Sequence, residues 1–326
     1  MNDQPSPTIS VVIAAYQAES FIAEALDSIL GQTCPPDEVV VVDDGSTDTT
    51  PQILAGYGDR IRVISQENRG YPVAMNRAIQ ESRCDFVALC GADDLWEPRK
   101  LEWQAQALEA HPEVGVLFGH AVFFGSVEGD HVRPTGTEVL EGQALLEDLL
   151  ERNPINMPSA VLKRDLLGRL GWFTDGFVAD DFEFFFHCLR ADVCFYYEPR
   201  TLVRYRRHEH NITKNIAEMH EAWHLVRSWN ADLVQDRSLL ARTMARDLFT
   251  IGRAHVDEGN PIRGRKAIRE SLRYTRGNTL YTYARALVWL VILSLPRGAN
   301  EKVMRAFPDL RQAIYGLRNT WLRGLS

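Results

Sequence analysis

Three pairs of adjacent carboxylates, Asp43-Asp44, Asp93-Asp94 and Asp180-Asp181, are the residues of this chain best suited to chemistry. The first two each follow an apolar run of strand length, at 39–42 and 86–89. Such runs read as buried strands of a mostly parallel sheet. Open α/β sheets bind ligands outside the carboxyl ends of their strands. Two hard oxygen ligands at such an end suit Mg²⁺ or Mn²⁺ carrying a diphosphate. Read singly, Asp93-Asp94 is also an ordinary acidic turn before a helix starting at Pro98. Asp180-Asp181, with Glu183, opens a helical pattern, where acids are favoured by the helix dipole without any chemistry.

The elements that must position these groups alternate. A strand at 9–15 leads into Tyr16-Gln17. Ser20 can cap a helix to about Gln32, with Phe21, Ile22, Ala25, Leu26, Ile29 and Leu30 on one face. Pro35-Pro36 stops it. The β-branched run 39–42 is a second strand, and Thr47 or Asp48 can cap a short helix after it. A strand at 61–64, a helix at 73–82 and the strand at 86–89 follow. This alternation predicts βαβ units and a parallel sheet. Further on, the pattern gives a helix from 98 to 111, strands at 114–118 and 121–124, a polar loop at 125–137, a helix at 142–152, a strand at 159–162 and a helix from Asp180 to about Leu189.

No GxGxxG, GxxxxGK[ST] or HExxH motif is present. Phosphate charge must then be met by a metal, and strand-end acids can hold one. The 326 residues suffice for about two domains. Five cysteines without CxxC spacing argue for a reducing compartment, and the polar start carries no secretory signal pattern. The net charge of −8 hides a split. Residues 237–326 hold 17 Lys and Arg against 6 Asp and Glu, a balance of +11 that leaves −19 on the remainder. A basic C-terminal segment can face an anionic surface.

The segments Ser10-Val11-Val12-Ile13-Ala14-Ala15-Tyr16-Gln17, Val42-Asp43-Asp44-Gly45-Ser46-Thr47-Asp48, Glu67-Asn68-Arg69-Gly70 and Ala92-Asp93-Asp94-Leu95-Trp96 occur in this order. Together they resemble the family 2 glycosyltransferases of the GT-A fold, over roughly residues 8–210. The resemblance implies an α/β fold: a GT-A type sheet of the nucleotide-diphospho-sugar transferases flanked by helices, with a helical C-terminal segment. It implies that Ala15 and Tyr16 line the base pocket, with Tyr16 stacking on the base. Asp44 would accept a hydrogen bond from the base, and Arg69 and Asn76 would lie near the ribose or diphosphate. Asp93 and Asp94 would bind the divalent cation, Mn²⁺ or Mg²⁺. Asp181 matches the catalytic base, with Asp180 and Glu183 as alternatives. His208, in Tyr205-Arg206-Arg207-His208, matches a histidine that approaches the diphosphate or metal. The chain departs from the family pattern at three places: Gly91 replaces an acid, Gln17 replaces the commoner Asn, and Met75 replaces Arg.

The reaction so implied is inverting transfer of a sugar from a nucleotide-diphosphate donor to a hydroxyl of a glycan or lipid-linked acceptor, in surface polysaccharide synthesis. A non-catalytic sugar-nucleotide binder and a sugar-1-phosphate nucleotidyltransferase are the alternatives. The latter wants a Gly-rich basic loop where Ala15-Tyr16-Gln17-Ala18-Glu19 stands. Nucleic acid is not an expected partner. The expected division is a catalytic domain at 1–215 and a helical region at 216–326. The apolar stretch 281–295 is too short to span a bilayer. It is either a buried helix or a monotopic contact, placing the protein in the cytoplasm, peripheral at the inner membrane face.

Overall fold

The computed structural model describes residues 6–131, 133–134, 139–140, 142–209, 211, 215–274 and 280–294. The chain divides into two compact units, one of Met1–Asn215 with Leu225–Gln235, the other of Ile216–His224 with Asp236–Ser326.

The first unit begins with β1 (Ile9–Ala15), α1 (Ile22–Leu30), β2 (Glu38–Asp43), α2 (Thr50–Ala55), β3 (Arg62–Ser65), α3 (Tyr71–Glu81) and β4 (Phe86–Gly91). Strands β1, β2 and β4 are buried along nearly their whole length, as their near-continuous apolar sequence requires. β1 pairs in parallel with both β2 and β4, and β2 with β3. The helix expected from an N-cap at Ser20 starts one residue later. Phe21 is its N-cap and supplies no side-chain cap. Asp48 does receive the Thr50 N–H, at 3.0 Å, just ahead of α2. Gly70, at φ 89°, is the residue before α3, and Pro72 is in its first turn. A positive φ there costs glycine little, and Pro in the first turn loses no helical hydrogen bond.

After β4 come β5 (Leu95–Trp96), α4 (Lys100–Ala110), β6 (Val114–Gly125), β7 (Gly129–Asp130), β8 (Val139–Leu140), α5 (Gly142–Arg152), β9 (Val161–Lys163), α6 (Asp165–Leu170), α7 (Asp180–Arg190) and β10 (Cys194–Arg207). Sheet order is β3-β2-β1-β4-β9-β6-β10-β5. β9 runs antiparallel to both β4 and β6, so the sheet is parallel at one end and mixed at the other. The two strands expected at 114–118 and 121–124 are one strand, β6. Gly119 lies in its middle because a Cβ there would collide with Leu202 of the neighbouring β10. β6 and β10 pair in parallel to their ends, which carries Arg206 and Arg207 beyond the core.

The second unit draws on α8 (Ile216–Trp229), α9 (Arg237–Asp257), α10 (Pro261–Ser271) and α11 (Leu280–Ser294). Asp236 caps α9 by accepting the N–H groups of Ser238 and Leu239. Phe249, Ile268, Ala286, Trp289, Ile292 and Leu293 form its core. On α11, Leu287, Val288 and Val291 remain exposed. No helix among the described residues is long and apolar enough to cross a membrane. All five cysteines are free thiols.

Candidate active site

At the end of β1, Ala15 is fully buried and its carbonyl accepts the Asp44 N–H at 2.8 Å. Tyr16, next in sequence, is 53% exposed, so its ring is free to stack on a ligand. Gln17 adopts φ 49°, and its Oε1 accepts the N–H of Thr47 at 2.7 Å and of Asp48 at 3.3 Å. That pins the loop after β2 against the loop after β1.

Asp44 is buried, and its carboxylate is saturated by the chain itself. Oδ1 accepts from Gln66 Nε2 at 2.7 Å and Arg69 N–H at 2.9 Å, and Oδ2 accepts from Gly70 N–H at 2.8 Å. A charged acceptor of three N–H groups holds a turn firmly. Asp44 therefore fixes the start of α3. Arg69 keeps its side chain exposed beside it. Asn76 has a different task from the expected ribose contact. Its amide donates to the Phe173 carbonyl at 2.8 Å and accepts the Phe173 N–H at 3.0 Å, tying α3 to the segment before α7.

Asp93 and Asp94 occupy the turn between β4 and β5. Asp94 Oδ1 accepts the Arg206 N–H at 2.8 Å, while Oδ2 is buried without a hydrogen-bond partner. Burial, then the charge of Asp93, pushes the Asp94 carboxyl well above the usual range. Asp93 Oδ2 meets His208 Nε2 at 2.8 Å and Asn211 Nδ2 at 3.1 Å. An added Cβ on Gly91 would stand 2.6 Å from Asp94 Oδ2 and 2.8 Å from Asp93 Oδ1. Both carboxylates thus lean over one residue, and only glycine leaves room for them. The missing acid at position 91 has a steric reason here. An orphaned carboxylate oxygen beside a second one suits a hard dication. Among the described residues no group of three or more His, Cys, Asp or Glu forms a ready-made ligand set. His208 Nε2, when it donates to Asp93, is not a metal ligand through that atom.

The second acid pair opens α7. Asp180 is buried with Oδ2 unpartnered, and burial followed by the Asp181 charge raises its carboxyl well above the usual range. Burial pushes the Asp181 carboxyl up to about 6, partly offset by the Phe182 N–H it accepts at 2.7 Å. Tyr71 joins the two pairs. Its hydroxyl has Met157 Sδ as partner at 3.7 Å. Its phenol is pushed well above 10 by burial, then by the charges of Asp180, Asp181, Asp93 and Asp94.

Residues 10–168 match glycosyl transferase family 2. An uncharacterized glycosyltransferase of Rickettsia typhi is 29% identical over 231 residues, covering 67% of this chain and 70% of that one. An uncharacterized protein of Mycobacterium tuberculosis is 30% identical over 219 residues, and the match spans 63% of this chain but only 60% of that relative. The sheet order and the acid pairs at its strand ends agree with these matches. Over residues 10–168, just under half of its length, the chain is similar to glycosyl transferase family 2.

The fold of this glycosyltransferase is of the GT-A type. The crystal structure of residues 1–349 of S. aureus TarS in complex with UDP-GlcNAc superimposes with a TM-score of 0.65, at 17% identity, over 92% of each chain. The mannosyltransferase PcManGT of Pyrobaculum calidifontis, in complex with GDP-Man and Mn²⁺, superimposes with a TM-score of 0.56 at 21% identity, over 97% of this chain and 88% of that one.

Three further polar residues stand out more in the structure than in the sequence. Tyr71 is marked only by the Gly70-Tyr71-Pro72 helix start. Arg206 lies in a basic run that reads equally as surface. Lys100 is fully buried on α4, with Nζ 3.6 Å from the Trp96 ring centroid and donating to Gln104 Oε1 at 2.8 Å. Burial pulls its amine down to about 7.

Proposed function

We propose that this glycosyltransferase moves a sugar from a nucleotide-diphosphate donor to a hydroxyl of a glycan or lipid-linked acceptor, inverting the anomeric centre, in the synthesis of a surface polysaccharide or glycolipid. The observation that carries the reading is the Asp93-Asp94 turn at the end of β4, where the buried Asp94 Oδ2 has no hydrogen-bond partner and both carboxylates lean over Gly91. It is supported by the sugar nucleotides held by the TarS and PcManGT structures.

In this reading Tyr16 stacks on the donor base and Arg69 meets the ribose or diphosphate. Asp93 and Asp94 hold Mn²⁺ or Mg²⁺, which when bound neutralises charge on the departing diphosphate. His208 and Asn211 orient Asp93. Asp181 takes the proton of the acceptor hydroxyl as its oxygen bonds to the anomeric carbon. The bond from that carbon to the diphosphate oxygen breaks, and its electron pair leaves with the nucleoside diphosphate. A carboxyl titrating near 6 is a base at neutral pH yet basic enough to accept a proton.

Release of nucleoside diphosphate from a panel of UDP- and GDP-sugars with Mn²⁺ tests this. Asp181→Asn is expected to lower turnover by about 10²–10⁴-fold, while the donor and Mn²⁺ still raise the melting temperature. Wild-type turnover in that variant would overturn the assignment of the base. The reading places the protein in the cytoplasm at an anionic membrane face, through α10 with Arg263, Arg265, Lys266 and Arg269 and the outer side of α11. Flotation of the whole chain with anionic vesicles, and its absence with neutral ones, is the expected result, and equal flotation with both would remove the electrostatic contact.

A further inference from the structure

Asp93 and Asp94 sit in a turn that its own secondary structure barely supports. β5, which follows it, has two residues and pairs with β10 only through Val203↔Trp96 and Arg204↔Leu95. The carboxylates must be fixed from outside, and a single residue reaches both. Arg206 gives its backbone N–H to Asp94 Oδ1 at 2.8 Å, and its Nε to the Asp93 carbonyl at 2.8 Å. The far end of the same guanidinium donates from Nη2 to Glu24 Oε2 at 2.5 Å. Its carbon lies 5.0 Å from the Phe21 ring centroid and 4.5 Å from that of Phe124, at the end of β6. Phe21 in turn stacks on His208, with centroids 4.7 Å apart and planes at 28°, and His208 Nε2 meets Asp93 Oδ2.

These contacts close a ring. Phe21 and Glu24 are three residues apart at the head of α1, so both face the same way. Phe21 touches Arg206 and His208, Glu24 holds Arg206, and both partners end on Asp93. We propose that Arg206 is the positioning residue of the Asp93-Asp94 turn, latched to the first turn of α1 through Glu24. This rests on the reading of Asp93 and Asp94 as the cation-bearing pair.

The arrangement needs arginine. The planar fork serves two acceptors in different directions while its faces lie against aromatic rings, which an ammonium cannot do. Its job is placement and not charge balance. The fork is spent on a carbonyl and on Glu24, and the contact to Asp94 comes from the backbone, which survives any substitution. Outer partners of metal-binding groups commonly govern affinity by about 10–100-fold.

The two roles predict opposite signs. A guanidinium acting only as a nearby positive charge repels a dication, so its removal tightens Mn²⁺ binding. A positioning residue loosens it when removed. The test titrates Mn²⁺ alone into the full chain and reads the free ion by electron paramagnetic resonance. Arg206→Met is expected to weaken Mn²⁺ about tenfold or more. Arg206→Lys recovers only part of this. Glu24→Gln, at a side chain 61% exposed, weakens binding a few-fold with the fold unchanged. In turnover, the Mn²⁺ concentration giving half the maximal rate rises in step with the loss of Mn²⁺ binding. Unchanged or tighter Mn²⁺ binding in folded Arg206→Met overturns the proposal. If that variant does not fold, unchanged binding in Glu24→Gln overturns it. Failure of the wild-type chain to bind Mn²⁺, with or without nucleoside diphosphate, would instead defeat the reading of the acid pair itself.

Discussion

The carboxylate of Asp44 accepts the backbone N–H of Gly70 at 2.8 Å, across 26 residues of sequence. Through it the end of β2 holds the helix start that presents Tyr71 to the acid pairs. Asp44→Ala would leave the Gln66, Arg69 and Gly70 donors without their partner in a half-buried place. Charged acceptors of this kind are worth about 1.5–3 kcal/mol each before compensation by water, so a loss of about 3 kcal/mol in urea unfolding is expected. If Asp44 served only to recognise the donor base, donor affinity would fall and the unfolding midpoint would stay in place.

With Asp181 as the proposed base, its carboxyl, raised to about 6 by burial, would set the acid limb of the rate. A base must be ionised to accept a proton, so the active fraction is nearly full at pH 8, about half at pH 6, and falls about tenfold for each pH unit below that. With donor and Mn²⁺ saturating, kcat should follow this curve. A rate that stays level down to pH 4.5 would place the base elsewhere.

Gly91→Ala puts a methyl group into the space over which both carboxylates lean, at 2.6 and 2.8 Å from their oxygens. The acids must move. Displacements of about 1 Å in a site can cost 10²-fold in rate, so Mn²⁺-dependent turnover should drop by about tenfold or more with little change in melting temperature. Gly91→Asp, which restores the commoner family residue, should do no better, because it brings the same Cβ. Recovery or gain of activity in Gly91→Asp would show that the crowding is relieved without loss.

Much of the parallel half of the sheet was legible because β1, β2 and β4 are apolar throughout and are separated by one-face helices. The mixed half was less so. β6 reads as two strands because Gly119-His120 interrupts the run, and only the presence of Leu202 opposite explains the glycine. The acid pairs were legible as residue types at strand ends. What joins them was not. Tyr71 owes its raised phenol to burial and then to four distant carboxylates, and Arg206 is held by partners over a hundred residues away. Asn76 shows the converse. Its type and position fit a ribose contact, yet its amide meets the Phe173 backbone, which no spacing in the sequence encodes.

The strand β10 has a bearing on how this enzyme comes into being. The turn at 93–94 is completed by Arg206, His208 and Asn211, at separations of 112 to 118 residues along the chain. During synthesis the turn must wait, unfinished, until β10 emerges and runs alongside β6. A fragment ending at residue 168, where the family match stops, would keep both aspartates and lack every group that arranges them. Within the interval from 126 to 193, β9 joins β4 to β6, so the turn also waits on that strand.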